Sequence, residues 1–65
     1  MRLSKEKIKL CMARKVLSMS ELAEKSGVPV QTILTACRRG SCKPATAGMI
    51  ANALEVDITE ILEVS

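Results

Sequence analysis

Two glycine–proline pairs set the frame in which this chain can fold. In GVPVQTILTACRRGSCKP, Gly27 stands just ahead of Pro29 and Gly40 just ahead of Pro44. Glycine is the usual residue for the left-handed conformation that ends a helix. Proline in a first helical turn loses no hydrogen bond. Each pair therefore stops one helix and opens the next, with no room for a strand between them. The enclosed stretch is confined to a short helix from about Pro29 to Arg38, with Ile33, Ala36 and Cys37 on its inner face and Arg38, Arg39 and Gly40 at its end.

The remaining segments read the same way. Ser4 is an N-cap, with Glu6 in the first turn favouring the helix dipole. The first helix ends near Lys15 or Val16, and Ile8 and Cys11 lie on its inner stripe. Ser18-Met-Ser-Glu21 has the form of a capping box and launches a helix that turns Leu22 and Ala23 inward. Pro44 opens a helix with Ala47, Ile50, Ala51 and Leu54 inside. Asp57-Ile-Thr-Glu60 is a second capping box, opening a last short helix with Ile61 and Leu62. The expected fold is all-α: five short helices in one domain spanning residues 1–65.

Sixty-five residues make one small domain, which buries only about 60% of its unfolded surface. Such a chain cannot enclose an enzyme pocket beside an independent core, nor a separate ligand-sensing domain, so no small-molecule ligand is expected. With no aromatic residue, the core must come from Leu, Ile, Val, Ala and Met. No run approaches the roughly 18 apolar residues of a membrane helix. The charged N-terminus lacks the apolar stretch of a secretory signal, so a cytoplasmic location is expected.

Charge is distributed unevenly. All ten Lys and Arg fall in residues 1–43, which hold only three acids and carry a net +7, whereas residues 44–65 carry a net −4. A basic front and an acidic back fit one face turned to a polyanion; the plainer reading is two solvated surfaces. Cys11, Cys37 and Cys42 are odd in number and lack paired spacing, and there is no His. A structural zinc and any His-activated nucleophile are thereby disfavoured, and no cofactor is expected. Cys11 and Cys37 read as small core residues, and the polar turn holding Cys42 places it at the surface.

The stretch from Met19 to Arg38 resembles the helix-turn-helix of the phage Cro and repressor family. Leu22 and Ala23 fill its adjacent apolar and small positions, Gly27 sits in the turn followed by Val28, and Ile33 and Ala36 fill the inward positions of the second helix. Ile8 and Cys11 match the family's first helix, and KPATAGMIANALEVDITEIL is similar to its fourth and fifth, so the resemblance covers nearly the whole chain. It implies a five-helix bundle of the lambda-repressor-like type and a sequence-specific regulator, a repressor, that binds a double-stranded DNA operator. The second helix of the motif would enter the major groove, which has the width to admit it.

Under this resemblance Val30, Gln31, Leu34 and Thr35 meet base edges. Gln31 can pair in a bidentate way with adenine, and the methyls of Val30 and Leu34 can pack on thymine. Ser18, Arg38, Arg39 and Lys43 grip phosphates. Val30 and Leu34 would equally suit a core or a protein interface. The chain departs from its relatives in several places. Met19 replaces a frequent glutamine, Met12 and Cys37 stand where some relatives bury an Arg–Glu pair, and Glu55 replaces the usual glycine at the end of helix four. The alternative function is a protein-interaction module, such as an antirepressor, that kept the fold without DNA binding. The basic cluster of Arg38, Arg39 and Lys43 argues against it. RNA-binding modules usually stack bases on aromatic rings, which this chain lacks.

One recognition helix reads too few base pairs to select a genomic site, so a homodimer is expected, formed in solution or only on DNA. The basic front is committed to phosphate, which leaves the acidic back for the partner. Ile58 and Val64 are the expected interface residues.

Overall fold

A serine opens each of the first two helices of the computed structural model, which describes residues 1–63. The Lys7 amide donates to Ser4 Oγ (3.3 Å) at the head of α1, Lys5–Lys15. Ser18 closes a full capping box on α2, Met19–Ser26: its Oγ accepts from the Glu21 amide (3.2 Å) and its amide donates to Glu21 Oε1 (3.0 Å). Helix α3 spans Val30–Arg39 and α4 spans Pro44–Ala53, with Gly40 closing α3 in the left-handed conformation at φ 73°. Pro29 does not lie within α3, as the sequence suggested, but is its N-cap, at ψ 143°. The helix is thus shifted by one residue and takes in Arg39.

The fifth helix is not formed. Among the described residues there are four α-helices, and the expected fifth is a single 3-10 turn, Ile58–Glu60. Asp57 caps the Thr59 amide (3.0 Å), and the Glu60 amide turns to the Asp57 carbonyl (2.8 Å). The Ile61 carbonyl then accepts from the Ser4 amide (2.9 Å), and Glu63 donates to the Arg2 carbonyl (3.1 Å). Those groups are committed to the N-terminal segment and cannot continue a helical ladder.

That segment is a strap the sequence did not announce. Arg2 pairs with Ser41 and Leu3 with Leu62, both antiparallel. Residues 1–4 thus run extended between the loop after α3 and the C-terminal end, and Leu3 is buried at 2% exposure.

The core is aliphatic. Ile8, Leu22, Ile33, Ile50, Leu54 and Ile61 are its largest fully buried side chains, and no polar or charged side chain is buried among the described residues. Helix α2 packs on both α3 and α4, and α4 also meets the 3-10 turn. Met12 and Cys37 both pack on this core, so the position of the family's buried ion pair is apolar on both sides. Replacing both members of such a pair with packed apolar groups leaves no stranded charge. Met19 also lies against the core, as its apolar chain requires, and makes no glutamine-like bond.

Among the described residues two non-glycine residues adopt positive φ: Val16 at 53°, closing α1, and Glu55 at 58°, just after α4. Glu55 therefore keeps the left-handed conformation expected of the family's glycine. No helix among the described residues is long and apolar enough to cross a membrane.

Candidate nucleic-acid interface

The turn between α2 and α3 is short and internally bonded. Gly27 at φ 75° ends α2, donating to the Ala23 carbonyl (2.9 Å). Ser26 Oγ donates to the Ala23 carbonyl and accepts from the Val28 amide (3.3 and 3.2 Å), and Val28 is buried at 3% exposure. With Leu22 and Ile33 fully buried across the junction, α3 is fixed against α2 and its opposite side is open to solvent.

At about 100° per residue, α3 divides cleanly. Ile33 and Ala36 are buried and Cys37 packs partly against the core. Gln31, Thr32, Leu34, Arg38 and Arg39 are exposed and Thr35 is partly so. Val30 stands at the border, half-buried, so it is less available than the sequence reading supposed. Leu34 is 44% exposed, which excludes it from the core.

Gln31, Thr35 and Arg39 recur every fourth residue and share one stripe. They line an open groove of about 360 Å³ whose far wall comes from Ser41, Cys42, Lys43 and Thr46. Four expected site residues thus meet in one place: Gln31, Thr35, Arg39 and Lys43. Val30, Leu34, Arg38 and Ser18 lie outside the groove lining. Ser18 is exposed at the head of α2, where its hydroxyl accepts from the Glu21 amide.

Thr32, Ser41 and Thr46 were missed. Their hydroxyls read as ordinary helix and turn residues in sequence, and only the packing of α4 beside α3 brings Thr46 to the groove. Cys42 is half-buried in its wall rather than exposed, and burial pushes its thiol upward from the ordinary range. Burial likewise raises the Cys37 thiol, with the charges of Lys5 and Lys9 opposing the shift. Both thiols are neutral at physiological pH.

A solvent-facing helix docked across a short glycine turn, flanked by a basic loop, defines a helix-turn-helix. Residues 7–65 match the Cro/C1-type HTH DNA-binding domain family, and the chain belongs to that family. Searches of curated proteins and of solved structures found no match.

Proposed function

We propose that the protein is a sequence-specific transcriptional regulator, a repressor, that places α3 in the major groove of an operator. The observation that carries this reading is the groove beside α3, where Gln31, Thr35 and Arg39 on one wall face Lys43 on the other. A bidentate amide reads base edges, while cations on the flanking loop hold the phosphate backbone and set the register. Leu34 adds an apolar contact for thymine, with the half-buried Val30 at the margin. Arg38 and Ser18 add backbone contacts on either side.

The protein acts as a twofold dimer, with half-sites about one helical turn apart. Ile58, half-buried on the acidic back, supports a partner surface there because part of its side chain stays open. Val64, the other expected interface residue, lies outside the described residues.

Selection of bound sequences from a random DNA pool at fixed salt tests the reading. Enrichment of a twofold-related motif is the expected result. A pool with no enriched sequence would overturn specific recognition and favour the protein-interaction alternative, for which the exposed Leu34 would supply the contact.

A further inference from the structure

The groove's two cations sit on either side of a segment that is held from outside. Arg39 immediately precedes Gly40, and Lys43 immediately follows Cys42. Gly40 takes a left-handed conformation, and glycine gives the chain wide freedom there. Three bonds to the N-terminal strap, together with the cap bonds of the Gly40 and Ser41 amides to the Ala36 carbonyl (2.8 and 3.2 Å), remove that freedom: the Leu3 amide donates to the Gly40 carbonyl (2.9 Å), the Cys42 amide to the Met1 carbonyl (3.1 Å), and the Met1 ammonium to the Cys42 carbonyl (3.1 Å). On its other side the strap is tied to the chain's end by the bonds of Ser4 with Ile61 and of Glu63 with Arg2. Lys7 Nζ adds a bond to the Leu62 carbonyl (3.0 Å). Leu3 is the only residue of the strap buried in the core, where its 2% exposure makes it the anchor of the whole arrangement.

We propose that Leu3 is a positioning residue for DNA-backbone binding, acting through the Gly40–Cys42 loop on Arg39 and Lys43. The inference rests on the DNA-binding reading above. The strap's hydrogen bonds reach Gly40, Cys42, Ile61 and Glu63 and neither Thr35 nor Gln31, which lie about one and two turns back along α3 from Arg39, its last residue. Loosening Leu3 therefore affects the phosphate contacts and spares base choice. A general loss of stability affects neither selectively.

The experiment compares the parent, Leu3→Ala, Leu3→Ile and the core control Ile50→Val, all folded by circular dichroism at the assay temperature. Each is titrated with its selected site and with random DNA across a salt series, and exchange of the Cys42 amide is followed by NMR. We expect Leu3→Ala to bind both DNAs about 10-fold more weakly, with a log–log salt slope shallower by about 2, because each protomer then neutralises one phosphate fewer. Its ratio of specific to random affinity stays at the parent value, and its Cys42 amide exchanges faster. Leu3→Ile restores the slope, and Ile50→Val retains it. If Leu3→Ala does not fold, Leu3→Val replaces it with the same expectations. A parent slope in the folded Leu3 variant, or an equal loss in Ile50→Val, would overturn the proposal while leaving DNA binding intact. A parent that binds no DNA at any salt would instead overturn the reading beneath it.

Discussion

Lys15 Nζ lies 3.0 Å from Glu55 Oε2, joining the end of α1 to the residue just beyond α4. Both partners are solvent-exposed, so the pair contributes little and is screened by salt. Its interest lies in its setting. Val16, next to Lys15, and Glu55 itself are the two non-glycine residues with positive φ among the described residues. A β-branched residue is poorly suited to that region, and Val16, at 85% exposure, has almost no packing to compensate.

Relief of that strain is the first prediction. Val16→Asn keeps the left-handed cap with a residue that tolerates it, and avoids the extra unfolded-state freedom of glycine. We expect stabilisation by about 0.5–1 kcal/mol, a rise of several degrees in Tm for a domain of this size. Thermal unfolding followed by circular dichroism reads it, and an unchanged or lower Tm would refute the strain.

Acid sensitivity follows from three carboxylates held below their ordinary values. The Ser18 amide and hydroxyl do this for Glu21, the Lys15 ammonium for Glu55, and the Thr59 amide and hydroxyl for Asp57. A depressed carboxylate stabilises the fold fully above its ordinary value, 4.5 for the two glutamates and 3.8 for Asp57, and that contribution is lost as pH falls through the lowered value. Tm should therefore decline below about pH 4.5. The triple variant Glu21→Gln, Glu55→Gln, Asp57→Asn should show a flatter acid limb, and an acid limb as steep as the parent's would rule these groups out.

Base reading and backbone binding should separate by mutation. Gln31→Ala is expected to cost about 1–3 kcal/mol on the preferred site and to relax discrimination there. Arg39→Ala should weaken all sequences about equally. Competition binding against substituted sites distinguishes them. Uniform weakening by Gln31→Ala would place recognition elsewhere.

Salt dependence gives the number of phosphates engaged. About four to six across a dimer correspond to a log–log slope of roughly −4 to −5. An affinity that is flat between low and physiological salt would exclude electrostatic docking.

Stoichiometry on DNA tests assembly. A palindromic site should hold two chains at saturation, and Ile58→Ala should reduce cooperativity while retaining the fold. Asp at this position is a poorer probe, because Ile58 also packs on the core. A one-chain complex at saturating protein would refute the dimer.

What could be read from sequence was local. The Ser18–Glu21 box, the Gly27 stop and the inward set of Leu22, Ile33, Ala47, Ile50 and Leu54 each depend on residues a few positions apart, and periodicity reports them directly. The strap depends on pairing Arg2 with Ser41 and Leu3 with Leu62, which no local pattern encodes. The same distant pairing ended the fifth helix, since Asp57 looks like a helix start until the Ile61 carbonyl is claimed by Ser4. Val30 is half-buried in the first turn of α3 through packing that local sequence does not report, and Thr46 reaches the groove only through the packing of α4. Val16 carried no warning, because valine is not a residue chosen for a left-handed cap.

The solvent face of α3 has a consequence for how such a protein changes over generations. Among the described residues, none of the side-chain hydrogen bonds that tie the fold together comes from α3. Its ends are set by Pro29 and Gly40 and its seat by Ile33 and Ala36. Gln31, Leu34 and Thr35 are therefore free to be exchanged at little cost to folding. On the proposed reading of α3, descendants of this chain can acquire new target sites by drifting at three surface positions, with the skeleton left unchanged.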